Sequence, residues 1–310
     1  MNLPDDARTD VAEPPVCTFC GSGALHRIAS DLPHPRVASH PRVDLHECAS
    51  CGSLVTWPVP SGESLARLYA AFDDGIDPAL RRLREETPLS AWYTRAARRA
   101  ARAAGRSRDE SFTWIDVGAG AGEIGAALNR EFPNARGVSV DWHGRPPHLG
   151  TDARHDWIQT DLNAPTFPAA IGVQADVVIS LAVIEHVRSP ASFVRGLTAL
   201  VRPGGTLYVM CPDYGSLAAR VLGRRWPFWI PGEHLHVPTR LGILRCIERA
   251  ADANRIAGRT RVGEVGLPYP LSYVVGFLGW PALARALRPI PAIPLPVGTL
   301  EASFTVRDRA

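Results

Sequence analysis

The sequence predicts an α/β protein, a mostly parallel sheet with helices on both faces, preceded by a small cysteine-bound ribbon. Three observations predict it. From Phe112 onward, apolar runs of strand length alternate with helical segments, and such alternation builds a parallel sheet. The stretch TWIDVGAGAGEIG, Thr113 to Gly125, reads as a buried strand, a glycine loop and a helix start. Two Cys-x-x-Cys-Gly-Ser turns, starting at Cys17 and Cys48, stand ahead of that sheet.

The ribbon comes first. Cys17, Cys20, Cys48 and Cys51 form two pairs separated by residues 21 to 47. Each Cys-x-x-Cys turn points two thiolates at one place, and two turns make a closed tetrahedral site for a structural zinc ion. Disulfides and a redox role are the alternatives, and reduced cytosolic thiols disfavour the first. The four-cysteine set is complete without His26, His34, His40 and His46, which are therefore expected at the surface. Pro33, Pro35 and Pro41 mark the segment between the pairs as irregular or edge strand. Cys211 and Cys246 lie in apolar contexts and are expected to be buried.

After the ribbon, Pro58 to Ser61 reads as a linker. Ser61 or Ser64 is positioned to cap a helix that carries Leu65, Leu68 and Tyr69. A second helix, Ser90 to Ala104, carries Arg95, Arg98, Arg99 and Arg102 as a solvated face. Strands are expected at 113–117, 136–140, 157–160, 175–180 and 206–211, and helices at 122–131, 190–201 and 239–253. Ser189-Pro190 caps the middle helix, and Arg202-Pro203-Gly204-Gly205 stops it. The expected division is a ribbon over 1–60, a helical linker or lid over 61–108, and a ligand-binding domain over 109–310.

Composition narrows the function. The 310 residues are 45% hydrophobic, enough for a sizeable core, and the net charge of +3 suits neither a nucleic-acid tail nor a polybasic membrane patch. All 34 basic residues are arginine, which excludes a Schiff-base lysine and a Gly-Lys-Ser/Thr phosphate loop. The opening MNLPDDARTDVAEPP has neither a cationic nor an apolar signal region, and no apolar run reaches the ~18 residues of a membrane span. A cytoplasmic protein without stable membrane insertion is expected. The apolar stretch Leu271 to Leu283 is broken by Gly276, Gly279 and Pro281. It reads as a buried or substrate-lining helix, with membrane-surface contact as the alternative.

The glycine loop formally matches a dinucleotide fingerprint at Gly120, Gly122 and Gly125, but its charges oppose a phosphate. Asp116 and Glu123 flank it, and no basic residue occurs from Thr113 through Asn129. Like charge at short range in a low dielectric costs a pyrophosphate roughly several kcal/mol. A cationic ligand gains instead, and S-adenosylmethionine combines an ammonium, a sulfonium and an adenosine without phosphate. Asp141 ends the second strand, where a carboxylate reaches ribose hydroxyls, and Asp161 ends the third, within reach of the adenine amino group. Each taken alone is equally an ordinary loop-start aspartate.

The motifs DVGAGAG, VSVDW, QTDLN, ADVVISLAVIEHVRSP and LVRPGGTLYVMCPDY resemble those of class I S-adenosylmethionine-dependent methyltransferases, over about residues 112 to 255. The resemblance implies a Rossmann-like seven-stranded sheet whose last strand, Ser303 to Arg307, is antiparallel. It implies cofactor contacts at Asp116, Gly118, Gly120, Gly122, Asp141, Asp161, Leu162 and Leu181. A four-cysteine ribbon, a helix with Tyr69, this core and then PGEHLHVPTR are similar to deoxysugar C-methyltransferases and related small-molecule enzymes. SLAVIEHV also resembles quinone-biosynthesis O-methyltransferases, but their metal-binding acid corresponds to Ala182 here, so that metal is not expected.

The implied partner is a small-molecule acceptor from natural-product or sugar metabolism, not nucleic acid. His234 is the best-placed base, because imidazole titrates near neutral pH. Glu233 orients the acceptor or tunes a histidine, Tyr69 closes the pocket, and His186 and His236 are rival bases. Trp226-Pro227-Phe228-Trp229 forms either the floor of an acceptor pocket or a core cluster under a loop. A nicotinamide-dependent oxidoreductase and a nucleic-acid-binding ribbon are the competing readings. The acids at the loop oppose the first, and the ribbon's lack of a basic-aromatic cluster opposes the second.

Overall fold

The computed structural model describes residues 16–35, 37–70, 89–277, 280–290 and 293–307. The acidic N-terminal stretch, part of the expected linker and Gly279 lie outside the described residues. The ribbon consists of β1 (Leu25–Leu32), β2 (Val43–Cys48) and β3 (Leu54–Trp57), joined antiparallel. Its two cysteine turns repeat one geometry. Gly21 N–H donates to Cys17 O and Gly52 N–H to Cys48 O, each at 2.7 Å, with both glycines in the left-handed region (φ +79° and +71°). Only glycine takes that conformation without strain.

Helix α1 (Gly62–Ala70) follows, capped by Ser61, whose Oγ accepts from Ser64 N–H at 3.1 Å. Helix α2 (Leu89–Ala103) leads into alternating β4 (Thr113–Val117), α3 (Glu123–Glu131), β5 (Arg136–Asp141), β6 (His155–Gln159), α4 (Phe167–Ile171), β7 (Ala175–Leu181), α5 (Pro190–Ala199) and β8 (Val201–Pro212). The chain continues through α6 (Leu217–Leu222), β9 (His236–Val237), α7 (Arg240–Ala253) and β10 (Gly258–Glu264). Then come β11 (Leu267–Tyr269), α8 (Leu271–Phe277), α9 (Pro281–Ala286), β12 (Ile293–Leu295) and β13 (Thr299–Val306).

The main sheet has seven strands in the order β10-β13-β8-β7-β4-β5-β6, and β13 runs antiparallel to both neighbours. The expected last strand is therefore present and antiparallel, and it starts four residues earlier, at Thr299. Alternation along the strands fills two layers. Trp114, Val177, Ile179, Tyr208 and Met210 pack on α2 and α3, while Ile115, Val117, Val178, Leu207 and Val209 pack with α5 and α7.

Four expectations need correction. Arg202-Pro203-Gly204-Gly205 is not a plain turn but the first part of β8. A bulge absorbs it, because Ala175 pairs with Val201 while Val177 pairs with Thr206. Gly205 is required there, since a Cβ would stand 2.9 Å from the carbonyl oxygens of Ala175 and Asp176. The third strand begins at His155, whose buried ring packs against Trp114 at a centroid distance of 5.1 Å. His34 and His40 are not at the surface but buried, at 4% and 5% exposure. Arg99 likewise leaves its solvated face to pair with Glu301 beside Tyr208.

The ribbon is docked on the main sheet. Strand β9 adds to the edge of β3, pairing Val237 with Leu54 and His236 with Val55. Arg245 and Arg249 of α7 donate to Ser50 O (3.0 Å) and Phe19 O (3.1 Å), the carbonyls of the two cysteine turns. Phe19 and Val55 share one apolar core with Ile243, Cys246 and Ile247, and Cys211 and Cys246 are buried as expected.

Candidate active site

The glycine loop lies at the carboxyl ends of β4 and β5. Gly118, Gly120 and Gly122 all have positive φ (82°, 55° and 79°). A Cβ at Gly118 would collide with Val183 at 2.2 Å and one at Gly122 with Leu149 at 2.3 Å, whereas a Cβ at Gly120 would meet nothing within 4 Å. The loop is thus packed from beneath and open above Gly120, the arrangement a ligand needs to approach the backbone. Asp141 faces this opening. Its Oδ2 accepts from Gly120 N–H at 2.9 Å and its Oδ1 from His143 N–H at 3.0 Å. Oδ1 also meets the His143 ring, Nδ1 at 3.2 Å, so the lone pair open to an incoming hydroxyl is on Oδ2.

Asp116 sits lower than the sequence implied. It is 2% exposed. Ser139 Oγ–H donates to it at 3.5 Å. Burial first, then the charges of Asp141 and Glu123, push its carboxyl up to about 8. It braces β4 against β5 beneath the loop, so the negative field at the loop comes from Asp141 and Glu123. Asp161 is exposed and closes an Asx turn with Asn163 N–H at 2.9 Å. Leu162 and Leu181 are half-buried nearby in sequence, after β6 and at the end of β7.

A second group of side chains gathers beyond β7. Ala182 (φ 54°) turns the chain, and the following residues present Glu185 and His186. Tyr69 Oη lies 3.2 Å from His186 Nδ1, and the His186 and His234 rings meet edge to face at 4.8 Å. His234 Nδ1–H donates to Phe228 O at 2.8 Å, which places the ring's lone pair on Nε2. Donor atoms of Glu185, His186 and His234 all lie within 4.8 Å of one another. Tyr69 also packs on Trp142, the residue after Asp141, at 5.9 Å. Burial, then Glu233, Glu185 and Asp141, hold its phenol well above the ordinary range. Tyr69 therefore stands between the two groups.

Residues 83–251 match the family model described as "Methyltransferase domain". The chain belongs to the methyltransferase-domain family. A ubiquinone biosynthesis O-methyltransferase of Methylobacterium sp. (strain 4-46) is 28% identical over 131 residues, 39% of this chain and 51% of that protein. A trans-aconitate 2-methyltransferase of Azoarcus sp. (strain BH72) is 33% identical over 117 residues, 37% of this chain and 45% of that protein. The chain thus spans about half the length of the curated relatives it matches. Among solved structures, the plantazolicin methyltransferase BamL, crystallised with a desmethyl analogue and SAH, superposes with a TM-score of 0.56 at 13% identity. That match covers 79% of this chain and 94% of BamL, and it carries the fold alone.

The match places the glycine loop inside a methyltransferase domain. The structure brings Tyr69, His186 and His234 together, with Glu233 next to His234 in the chain. Glu233 Oε2 is met by His34 Nε2 at 3.3 Å, and His40 Nε2–H donates to Gly232 O at 3.0 Å. His236 is elsewhere: its Nε2–H donates to Arg188 O, and burial lowers it to about 4. Trp226 is a core residue, packed with Leu45, Leu54 and Val237, while Phe228 stacks on His234 at 6.2 Å.

Glu185 was missed by the sequence reading. It is 1% exposed, burial pushes it up to about 8, and its backbone O accepts from Leu235 N–H at 2.7 Å. The available signal was a carboxylate within the apolar run SLAVIEHV, adjacent to a histidine. The four cysteines also converge, with Sγ separations of 3.6 Å for Cys17–Cys51 and 3.5 Å for Cys20–Cys48. Four sulfurs about 2.3 Å from one ion stand roughly 3.8 Å apart in a tetrahedron, so the set fits a zinc ion.

Proposed function

We propose that this methyltransferase alkylates a small-molecule acceptor, at an O–H or an acidic C–H, in the space bounded by Tyr69, His186 and His234. Bound S-adenosylmethionine supplies a methyl group already activated as a sulfonium. Asp141 holds the ribose hydroxyls. Gly118, Gly120 and Gly122 form the floor beneath the methionine part, with Asp116 bracing them, and Asp161, Leu162 and Leu181 border the adenosine. The acceptor's proton passes to His234 Nε2, since Nδ1 already donates to Phe228 O. That fixed tautomer is the observation that carries the reading. The imidazolium so formed stands beside Glu233, whose carboxylate stabilises it. Tyr69 and His186 orient the acceptor, and proximity contributes the rest of the acceleration.

We further infer that Cys17, Cys20, Cys48 and Cys51 hold one structural zinc, a closed site without an open position for chemistry. The organisation is a ribbon over 1–60, a helical linker or lid over 61–108 and the catalytic domain over 109–310. The test is S-adenosylhomocysteine release from S-adenosylmethionine across a panel of phenolic, keto-acid and keto-sugar acceptors. An acceptor turned over by the native protein but not by His234→Gln supports the assignment. Equal turnover by both removes His234 from it.

A further inference from the structure

We propose that the face formed by α6, the turn after it and the described residues of the 265–298 insertion between β10 and β13 docks on an anionic bilayer surface. The two segments share one composition. Residues 214–232 carry Arg220, Arg224 and Arg225 without one acidic residue, and residues 265–300 carry Arg285 and Arg288 without one, although the chain has 31 acidic residues. They are also neighbours in the fold. Trp226 Nε1–H donates to Val297 O at 2.8 Å, and Asp213 N–H donates to Gly298 O at 2.8 Å.

Their apolar side chains are turned outward. Leu217 and Val221, one turn apart on α6, are 76% and 72% exposed, and Trp280 and Leu283 in the insertion are 60% and 45% exposed. The stretch Leu271 to Leu283, expected as a buried or substrate-lining helix, is divided between α8, where Ser272 and Val275 are buried, and the start of α9, where Trp280 and Leu283 are exposed. Arg220, Arg224, Arg225 and Arg285 are exposed, and their guanidinium groups make no hydrogen bond or ion pair among the described residues, whereas Arg27, Arg42, Arg67 and Arg98 each pair with a carboxylate. A cavity of about 750 Å³ opens beside α6, walled by Leu217, Arg220, Arg224, Trp226 and Trp229. The acids on its inner wall are satisfied: Arg240 pairs with Asp213 and Glu264, and Tyr214 Oη–H donates to Glu47. What remains outward is cationic and apolar.

Exposed Leu and Trp beside arginines, with carboxylates excluded, is the chemistry that binds headgroups and the acyl boundary of anionic membranes. No helix among the described residues is long and apolar enough to cross a membrane, so the contact is peripheral. It brings the enzyme to a surface from which an amphiphilic acceptor is drawn.

The test is co-sedimentation of the full chain with phosphatidylcholine vesicles, with and without phosphatidylglycerol. Binding is expected only to the anionic vesicles and is expected to weaken in high salt, where the screening length falls to about 3 Å at 1 M. The triple variant Arg220→Gln, Arg224→Gln, Arg225→Gln should bind about a hundredfold more weakly, about fivefold for each arginine. S-adenosylhomocysteine affinity in that variant checks that it is folded. The salt and lipid-charge comparisons on the native chain decide the matter even if a variant fails to fold. Absence of binding, equal binding to neutral vesicles or undiminished binding by the folded triple variant overturns the proposal. So does lipid-free self-association that Leu217→Asn with Val221→Asn abolishes, because a second copy would then be the occupant.

Discussion

His34, in the cysteine-bound ribbon, meets Glu233 Oε2 through its Nε2 at 3.3 Å, one residue before His234. Val37 N–H donates to His34 Nδ1 at 2.9 Å, so the ring proton sits on Nε2 and is directed at the carboxylate. Both side chains are buried, His34 at 0% and Glu233 at 6% side-chain exposure. The ribbon therefore reaches into the loop proposed to carry the base. His34→Ala should lower kcat about ten- to a hundredfold, the worth of a hydrogen bond to a charged group. His34→Gln, with an amide nitrogen near the Nε2 position, should recover most of it. Equal loss in both variants would mean that the imidazole serves only packing.

Asp141→Ala should weaken S-adenosylmethionine binding by about 1–3 kcal/mol. The carboxylate is both a ribose acceptor and the anchor of Gly120 N–H, so the loop loosens with it. Calorimetry checks this, and unchanged affinity would refute the ribose assignment. NADH should give no heat in the same cell.

His234→Gln should reduce turnover by about 10²–10⁴, the usual worth of general acid–base catalysis, with S-adenosylhomocysteine affinity retained. Near-native turnover would shift the proton to His186, the ring 4.8 Å away, or leave proximity as the source of rate.

Metal analysis should find about one zinc per chain, as a closed four-cysteine site requires. Chelation, or Cys48→Ser, should disrupt the ribbon and also lower kcat, because His34 and His40 hold Glu233 and Gly232 from that side. S-adenosylhomocysteine affinity should persist, since the glycine loop contacts no ribbon residue among its described hydrogen bonds. A metal-free, fully active protein would contradict this.

The pH dependence of stability should carry the mark of Asp116. Its carboxyl stays protonated in the folded protein up to about pH 8, while in the unfolded chain it ionises near pH 4. Between those values the unfolded state binds fewer protons, so stability falls as pH rises, by about 1.4 kcal/mol per pH unit from this group. Asp116→Asn removes the contribution. Denaturant titrations at several pH values should show a flatter slope in the variant than in the native protein. Parallel slopes would mean that the native carboxyl is ionised.

The sequence alone determined the alternating core, the glycine loop, the four thiols and the acids around that loop, because each is a local pattern. Strand period and Cys-x-x-Cys spacing are set within a few residues. Tertiary structure decided what long-range contact creates. It buried His34 and His40, which the complete four-cysteine set left to the surface, by folding the ribbon over Gly232 and Glu233. It lowered Asp116 beneath the loop, turned Arg202-Pro203-Gly204-Gly205 from a stop into a bulged strand, and left Leu217, Val221 and Trp280 outside. None of these follows from hydropathy. A side chain's environment is supplied by residues far away in the chain, here about 200 positions away for His34 and Glu233, and no window of sequence contains both.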